Sequence, residues 1–326
     1  MAEHSQQSDA VSGQRPAVAV LIPACNEEAS IGAVVDAFRR ELPAATIFVF
    51  DNCSTDATAA IAAARGAIVR NEPRQGKGYV IERMFDTVEA DAYVMVDGDD
   101  TYPAEKVHDL LAPILAGQAD MVVGARLEEY SDKAFRPLHV CGNKLVRALV
   151  NWAGHSRLSD IMSGYRAFSR RVIERLPVVS AGFEVETDMT IQMLYYRMMI
   201  VEVPVHYRPR GDGSASKLRT VRDGVRVMWK IFTLFRSFKP LTFFGAAAAV
   251  LFLCGLLAGA TPIHDYATTS KVTHQGLAIM AVGLMVLSSG SLFLGIMLHA
   301  INWRLRELHN VMCRIATGST TRRPLA

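Results

Sequence analysis

The sequence predicts an α/β protein with a mainly parallel sheet and helices on both faces, followed by amphipathic helices and a two-helix transmembrane hairpin. Three observations carry this. Apolar β-forming runs alternate with helical runs from Val18 to Val123, the pattern of βαβ units whose sheet is covered on both sides. Two later segments, residues 241–260 and 276–298, contain no Asp, Glu, Lys or Arg. Basic residues crowd the outer ends of these two segments.

Residues 18–22 (Val-Ala-Val-Leu-Ile) read as a buried strand halted by Pro23. Helical spacing follows over 31–40, then a strand over 46–50 that ends at Asp51-Asn52. The alanine-rich stretch 55–64 reads as a helix, with Ser54 or Thr55 as its cap. A short strand at 67–70 leads through a glycine-containing turn to a helix near 79–88. A strand at 92–96, a helix opening at Pro103 and a strand at 121–123 complete the alternation. Farther on, 189–199 reads as a helix and 201–207 as a last strand. From Ser216 the pattern is amphipathic: Val221, Val225, Met228, Phe232 and Phe235 share one face, while Arg219, Arg222, Arg226 and Lys230 line another. Such a helix suits the headgroup layer of a membrane, its basic face towards lipid phosphates. The same pattern also fits a solvated helix packed on the globular domain.

A span needs about 20 residues to cross a hydrocarbon core of about 30 Å, and both uncharged segments pass. Arg236 and Lys239 precede the first, Arg304, Arg306 and Arg314 follow the second, and the connecting loop 261–275 has only Lys271 against Asp265. Positive-inside logic puts the large domain and both termini in the cytoplasm, with a bacterial inner membrane the expected setting. The polar stretch 1–15 has no apolar core, so no signal peptide is expected. A net charge of +3 over 326 residues gives no reason to expect a nucleic-acid partner. Five cysteines (Cys25, Cys53, Cys141, Cys254, Cys313) without C-x-x-C spacing argue against a disulfide framework or structural zinc. His108, His139, His155 and His206 show no metal-ligand spacing either. The expected organisation is a flexible tail (1–15), an α/β domain (16–212), juxtamembrane helices (213–240), two spans (241–303) and a basic cytoplasmic tail (304–326).

The apolar run Tyr93-Val94-Met95-Val96 ends in Asp97-Gly98-Asp99-Asp100. A buried strand that delivers two carboxylates to the end of a sheet is suited to a hard divalent cation, Mg²⁺ or Mn²⁺, completed by substrate phosphate oxygens. Asn26, Glu27, Asp51, Asp97, Asp99 and Arg126 all fall at strand ends, where ligands of open α/β sheets bind.

Four motifs, Val20-Leu21-Ile22-Pro23-Ala24-Cys25-Asn26-Glu27-Glu28, Asp51-Asn52-Cys53-Ser54-Thr55-Asp56, Gly76-Lys77-Gly78 and Asp97-Gly98-Asp99, resemble in order and spacing the family 2 glycosyltransferases with the GT-A fold. Asp160-Ile161-Met162-Ser163-Gly164-Tyr165-Arg166 and Ser216-Lys217-Leu218 narrow the resemblance. They are similar to polyprenyl-phosphate glycosyltransferases related to dolichol-phosphate-mannose synthase, particularly bacterial two-span members. Any one motif is weak; the ordered set is specific and covers nearly the whole chain from Ala17 to the second span.

The resemblance implies that Pro23, Asn26, Glu27, Asp51 and Lys77 line the nucleotide pocket, with Asp51 near the base, and that Asp97 and Asp99 hold the cation. It implies a nucleotide sugar as donor, UDP-glucose favoured, and polyprenyl phosphate as acceptor. A lipid phosphate, with a second pKa of roughly 6, is largely an anionic nucleophile at neutral pH. It needs cations to bring it beside the donor diphosphate more than it needs a base. Arg126, Arg136, Arg166, Arg208, Arg210 and Lys217 are the candidates, Arg for forked contacts and Lys as a point charge. Asp160 stands where the resemblance puts a catalytic base; its expected role is to orient Arg166 or the acceptor. Asp56 reads equally as a helix cap or a binding residue. Glu184, Glu186 and Asp188 read more readily as the charged first turn of a helix than as a base. Two departures stand out: Asp-Gly-Asp where relatives often have Asp-Ala-Asp, and Asn52 where many have a second acid.

Rival readings are a GDP-mannose-dependent mannosyltransferase, a processive synthase (whose Gln-x-x-Arg-Trp motif is absent), and a non-enzymatic lipid-transport or scaffold subunit. Spans without an ionisable residue except His299 near an edge offer a transporter no polar path. Gly283, Gly290 and Gly295 offer close-packing positions for self-association into a homo-oligomer.

Overall fold

A computed structural model describes residues 16–126, 137–176, 185–208, 232–233, 235–236 and 239–316. The chain divides into two units, Met1–Ala134 with Leu158–Ala215, and Phe135–Arg157 with Ser216–Ala326.

The first unit is built on a seven-stranded sheet: β1 (Val18–Ala24), β2 (Thr46–Asp51), β3 (Ile68–Asn71), β4 (Ala92–Met95), β5 (Met121–Arg126), β6 (Arg166–Ser169) and β7 (Ile200–Val205). Their order is β3-β2-β1-β4-β6-β5-β7. All neighbours pair in parallel except β6, which runs antiparallel to both β4 and β5. Its helices are α1 (Ile31–Glu41), α2 (Thr58–Ala64), α3 (Lys77–Thr87) and α4 (Val107–Leu115), then α6 (Arg170–Ile173) and α7 (Val185–Tyr195).

Both sheet faces are buried, and successive strand residues alternate between two cores, as the two-residue period of a strand requires. Val20, Ile22, Val49, Val94 and Val122 pack with Val34, Val35 and Phe38 of α1 and Leu110, Leu111 and Ile114 of α4. Leu21, Phe50, Met95, Met121 and Phe168 pack on the other face with Val80, Ile81 and Met84 of α3 and Val185, Met189 and Met193 of α7. Each fully buried side chain of this size contributes roughly 1.5–3 kcal/mol, which holds the strand ends, and the loops they carry, in place.

Sequence expectations shift at several elements. β1 runs through Pro23 to Ala24. The Asn52 amide donates to Ala24 O, so by alternation Pro23 turns its missing N–H towards β4, whose ladder already ends with Val96 N on Leu21 O. Helix α2 begins at Thr58 rather than 55, and the Thr55 and Ala57 amides before it donate to the Asn26 and Glu28 side chains. Asp56 then accepts from Thr58 N and Oγ1; neither Ser54 nor Thr55 caps the helix. β6 and the helix α5 (Pro137–Gly154) had no counterpart in the sequence reading.

The second unit contains α5 and two long helices, α8 (Pro240–Thr269) and α9 (Gln275–Ala316). Both are long and apolar enough to cross a membrane, and only 11% of each apolar window is buried, which sets them apart from the core helices of a soluble domain. α8 continues past Pro262 to Thr269, leaving a shorter connection than the expected loop 261–275. Ser288 and Ser291 of α9 donate to Ala248 O and Phe244 O of α8 at 2.8 and 2.9 Å. Gly255 and Gly259 let α8 approach Ala281 closely. Gly295 faces Phe244 and Pro240 within the hairpin, so of the three glycines expected to mediate self-association only Gly283 and Gly290 face open space. The tail 1–15, the amphipathic stretch 216–231, Glu184 and the basic residues Arg136, Arg210, Lys217, Arg322 and Arg323 lie outside the described residues.

Candidate active site

The polar strand-end residues gather at the carboxyl ends of β1, β2, β4 and β5, as the topology of an open α/β sheet demands. Three non-glycine residues here take left-handed backbone, Asn26 (φ 56°), Cys53 (φ 60°) and Asp100 (φ 57°). That conformation costs about 1–2 kcal/mol for most side chains and is found where surrounding contacts enforce it. For Asn26 those contacts are visible: its amide donates to Ser54 Oγ, and its Oδ1 accepts from Thr55 N at 2.8 Å. Asn26 thus fastens the loop after β1 to the loop after β2.

Asp51 ends β2. It is 9% exposed, and its buried Oδ1 accepts no hydrogen bond among the described residues. A buried acceptor without a donor costs about 1–3 kcal/mol, so this oxygen is suited to an incoming N–H. Asn52 explains its own departure from the relatives. Its Nδ2 donates to Glu72 O and Arg74 O while its Oδ1 accepts from Gly76 N. A carboxylate could not donate to two carbonyls. Through these bonds Asn52 shapes the turn at Gly76 (φ 142°) from which α3 and Lys77 start.

Lys77 Nζ lies 2.5 Å from Asp97 Oδ1 and 2.5 Å from Glu186 Oε1. Burial alone would depress its pKa, but the two carboxylates outweigh burial and hold the ammonium well above its usual range. Glu186, in the first turn of α7, is therefore a site residue that the sequence reading assigned to helix structure. It is both, and only the fold brings it to Lys77. Glu27 donates its amide to Thr58 Oγ1, and the neighbouring Ser30 hydroxyl donates to Gly98 O at 2.7 Å, which ties the start of α1 to the Asp97-Gly98-Asp99 turn. Gly98 has little room: a Cβ would meet Ile31 Cδ1 at 3.3 Å, tolerable for alanine and not for larger residues. Asp99 is buried and accepts from Thr101 Oγ1 at 2.6 Å.

Two carboxylates on one turn give an all-oxygen donor set suited to Mg²⁺ or Mn²⁺. The backbone opposite Asp97 is Gly164, where an added Cβ would overlap the carboxylate, only 2.8 Å from its Cγ. Glycine at 164 makes room for the Asp97 carboxylate, whose side chain keeps 25% of its surface exposed to a ligand. Among the described residues no cluster of three or more His, Cys, Asp or Glu could hold a metal, so the remaining ligands would come from substrate and water.

Arg126, the last residue of β5, is clamped by Asp160. Its Nε donates to Asp160 Oδ2 at 2.7 Å and its Nη2 to Oδ1 at 3.0 Å. Two amides, Arg126 N and Met162 N, also donate to the carboxylate. Burial would raise the Asp160 pKa, but these four donors lower it below the usual carboxylate range. Asp160 is a spoken-for anion, ill suited to take a proton. The loop is anchored from behind as well, since Ser159 N, Ser159 Oγ and Asp160 N all donate to the Glu202 carboxylate on β7. Tyr207 lies under the Arg126 guanidinium at 5.4 Å.

Arg166 overturns an expectation. It is fully buried, donating to Ser163 O, Ile161 O and Thr190 Oγ1 at 2.8–2.9 Å. It braces the 160–166 loop from inside and cannot meet a phosphate, and Asp160 orients Arg126 rather than Arg166. Arg208 is half exposed, paired with Glu105 at 3.2 Å and joined to the Asp99–Thr101 turn by its amide on Thr101 O. The 160–166 loop thus touches both halves of the site, gripping Arg126 at one end and lying against Asp97 at the other, with the Gly164 amide on Tyr102 Oη.

Comparison with known proteins agrees with this geometry. Residues 19–176 match the family described as glycosyl transferase family 2. Glycosyltransferase AglJ of Haloferax volcanii is 29% identical over 86% of this chain and 92% of its own. Protein RfbJ of Shigella flexneri is 46% identical over 37% of this chain and 95% of its own. The undecaprenyl-phosphate mannosyltransferase of Micrococcus luteus is 27% identical over 61% and 86%. Among solved structures, glucosyl-3-phosphoglycerate synthase from Mycobacterium tuberculosis, crystallised with Mn²⁺, UDP and its product, superposes with a TM-score of 0.55. It is 23% identical and matched over 68% of this chain and 79% of that one, a likeness of fold. With its sheet, its strand-end carboxylates and these relatives, the chain belongs to glycosyl transferase family 2 and has the GT-A fold.

Proposed function

We propose that this glycosyltransferase is a membrane-anchored, inverting enzyme. It moves a sugar from a nucleotide diphosphate, UDP-glucose favoured, to polyprenyl phosphate on the cytoplasmic leaflet. The observation that carries the reading is the Arg126–Asp160 clamp. A sugar hydroxyl must lose a proton to attack, and a phosphate at neutral pH need not. A site whose best-placed carboxylate is saturated by four donors, and whose output is an oriented guanidinium, suits an anionic nucleophile.

In this reading Asp51 Oδ1 accepts an N–H from the nucleobase, and Pro23, Asn26 and Glu27 shape the pocket wall. Asp97 and Asp99 hold Mg²⁺ or Mn²⁺, which when bound supplies Lewis-acid stabilisation to the departing diphosphate. Lys77 adds a positive charge beside that diphosphate. Arg126 receives the acceptor phosphate, with Arg208 as a second candidate, and α8 and α9 keep the enzyme at the membrane where that lipid resides. The similarity to an undecaprenyl-phosphate mannosyltransferase favours one second reading, a GDP-mannose donor with the same acceptor.

The test is a panel of nucleotide sugars incubated with short-chain polyprenyl phosphate, with and without chelator, and mass spectrometry of the lipid. One donor should give a lipid-phosphate-linked monosaccharide that chelator abolishes. Transfer to a sugar hydroxyl, with no lipid product from any donor, would refute the proposal.

A further inference from the structure

Lys77 is a small, strongly hydrated point charge on a flexible stem, and here it occupies an oxygen of the carboxylate offered to the cation. Its Nζ sits at 2.5 Å from Asp97 Oδ1, and its 2.5 Å contact to Glu186 Oε1 gives it a second anchor on another element, α7. Lys77 and Glu186 are only 13% and 7% exposed, so neither contact is a loose surface pair. One ammonium between two carboxylates leaves one net negative charge. The Gly164 backbone lies against the Asp97 carboxylate and closes one direction of movement. A divalent cation and the ammonium cannot share Asp97 without strong repulsion.

We propose that Lys77 is a resident stand-in cation. In the metal-free protein its ammonium holds Asp97 in the ligating position, and it yields that carboxylate when a divalent cation arrives. Glu186 is the positioning residue that retains the displaced ammonium, so that loading the site does not strand a buried charge. Lys77 then faces the donor diphosphate from the Glu186 side. This inference rests on the proposed role of Asp97 as a cation ligand and adds what competes for it.

The test is Mn²⁺ binding to the full-length protein in detergent, read from the electron paramagnetic resonance of free Mn²⁺ with neither nucleotide nor acceptor present. Lys77→Met should bind Mn²⁺ about tenfold more tightly than the native protein, the factor equal to about 1.4 kcal/mol. Lys77→Gln, a milder change should the Met variant fold poorly, should shift binding in the same direction. Glu186→Gln should weaken binding when Lys77 is present and much less in the Lys77→Met background, a non-additivity that mere loss of a negative charge would not give. Unchanged or weaker binding by both Lys77 variants, with Asp97→Asn still abolishing it, overturns the stand-in role alone. Undiminished binding by Asp97→Asn overturns the cation reading itself.

Discussion

The two halves of the site are built differently. At the ends of β1, β2 and β4, polar groups wait: Asp51 Oδ1 is buried without a donor among the described residues, and Lys77 bridges the Asp97 and Glu186 carboxylates. At the ends of β5 and β7, everything is already made. Asp160 accepts from four donors, Glu202 secures its loop, and Arg126 is locked in one orientation. In the proposed reading the first half takes the donor and the second the acceptor. A nucleotide and a cation bring many polar groups of their own. A lone lipid phosphate, the proposed acceptor, would bring few, which suits a guanidinium fixed in advance.

Four substitutions would break or sharpen that contrast, the largest effect first. Arg166→Met should cost about 3 kcal/mol of stability, because the buried carbonyls of Ile161 and Ser163 lose their donors. Denaturant unfolding should show it, and an unchanged midpoint would remove the brace from the account. Asp160→Asn should lower kcat/KM for polyprenyl phosphate about a hundredfold, chiefly through KM, with the pH dependence between 6 and 8 unaltered. The depressed Asp160 pKa sets that expectation. The pair's stabilisation is fully present above the ordinary carboxylate range, neutral pH included, and is lost only as pH falls through the lowered folded value. A variant that instead loses an ionisation limb near neutrality, with Arg126 still in place, would make Asp160 a base. Asp51→Ala should weaken nucleoside diphosphate binding about tenfold, measured by calorimetry, without changing affinity for the lipid. Glu202→Gln should raise the acceptor KM about threefold through the loosened 159–160 loop, with nucleotide affinity unchanged; equal losses on both sides would mean the two halves are not separate.

The waiting half was the more legible in the sequence. Its carboxylates follow apolar runs, so their positions at strand ends could be read from the alternation alone. The assembled half was hidden by its own contacts. Arg166 lies in a motif rich in polar residues, and nothing local reveals that it opens a strand and points inward. β6 is only four residues long and carries that arginine, so it has no apolar run to betray it. Glu186 looked like a residue favouring the N-terminal turn of a helix, and it does occupy one. Its proximity to Lys77, 109 positions earlier in the chain, is a property of α3 and α7 packing on one sheet face. Pro23 misled for the opposite reason: a proline usually ends a strand, and here the adjacent ladder had already stopped.

The central claim, which is the proposed function, is that carboxylates at the tip of β4 serve the metal-assisted departure of a nucleoside diphosphate while its sugar passes to a lipid phosphate held by Arg126. The most direct test is release of nucleoside diphosphate from the preferred donor, followed with and without polyprenyl phosphate, in the native protein and in the joint Asp97→Ala, Asp99→Ala variant. The account predicts release that needs both Mn²⁺ or Mg²⁺ and the lipid phosphate, and none from the double variant. Lipid-dependent release that survives the loss of both carboxylates would contradict it.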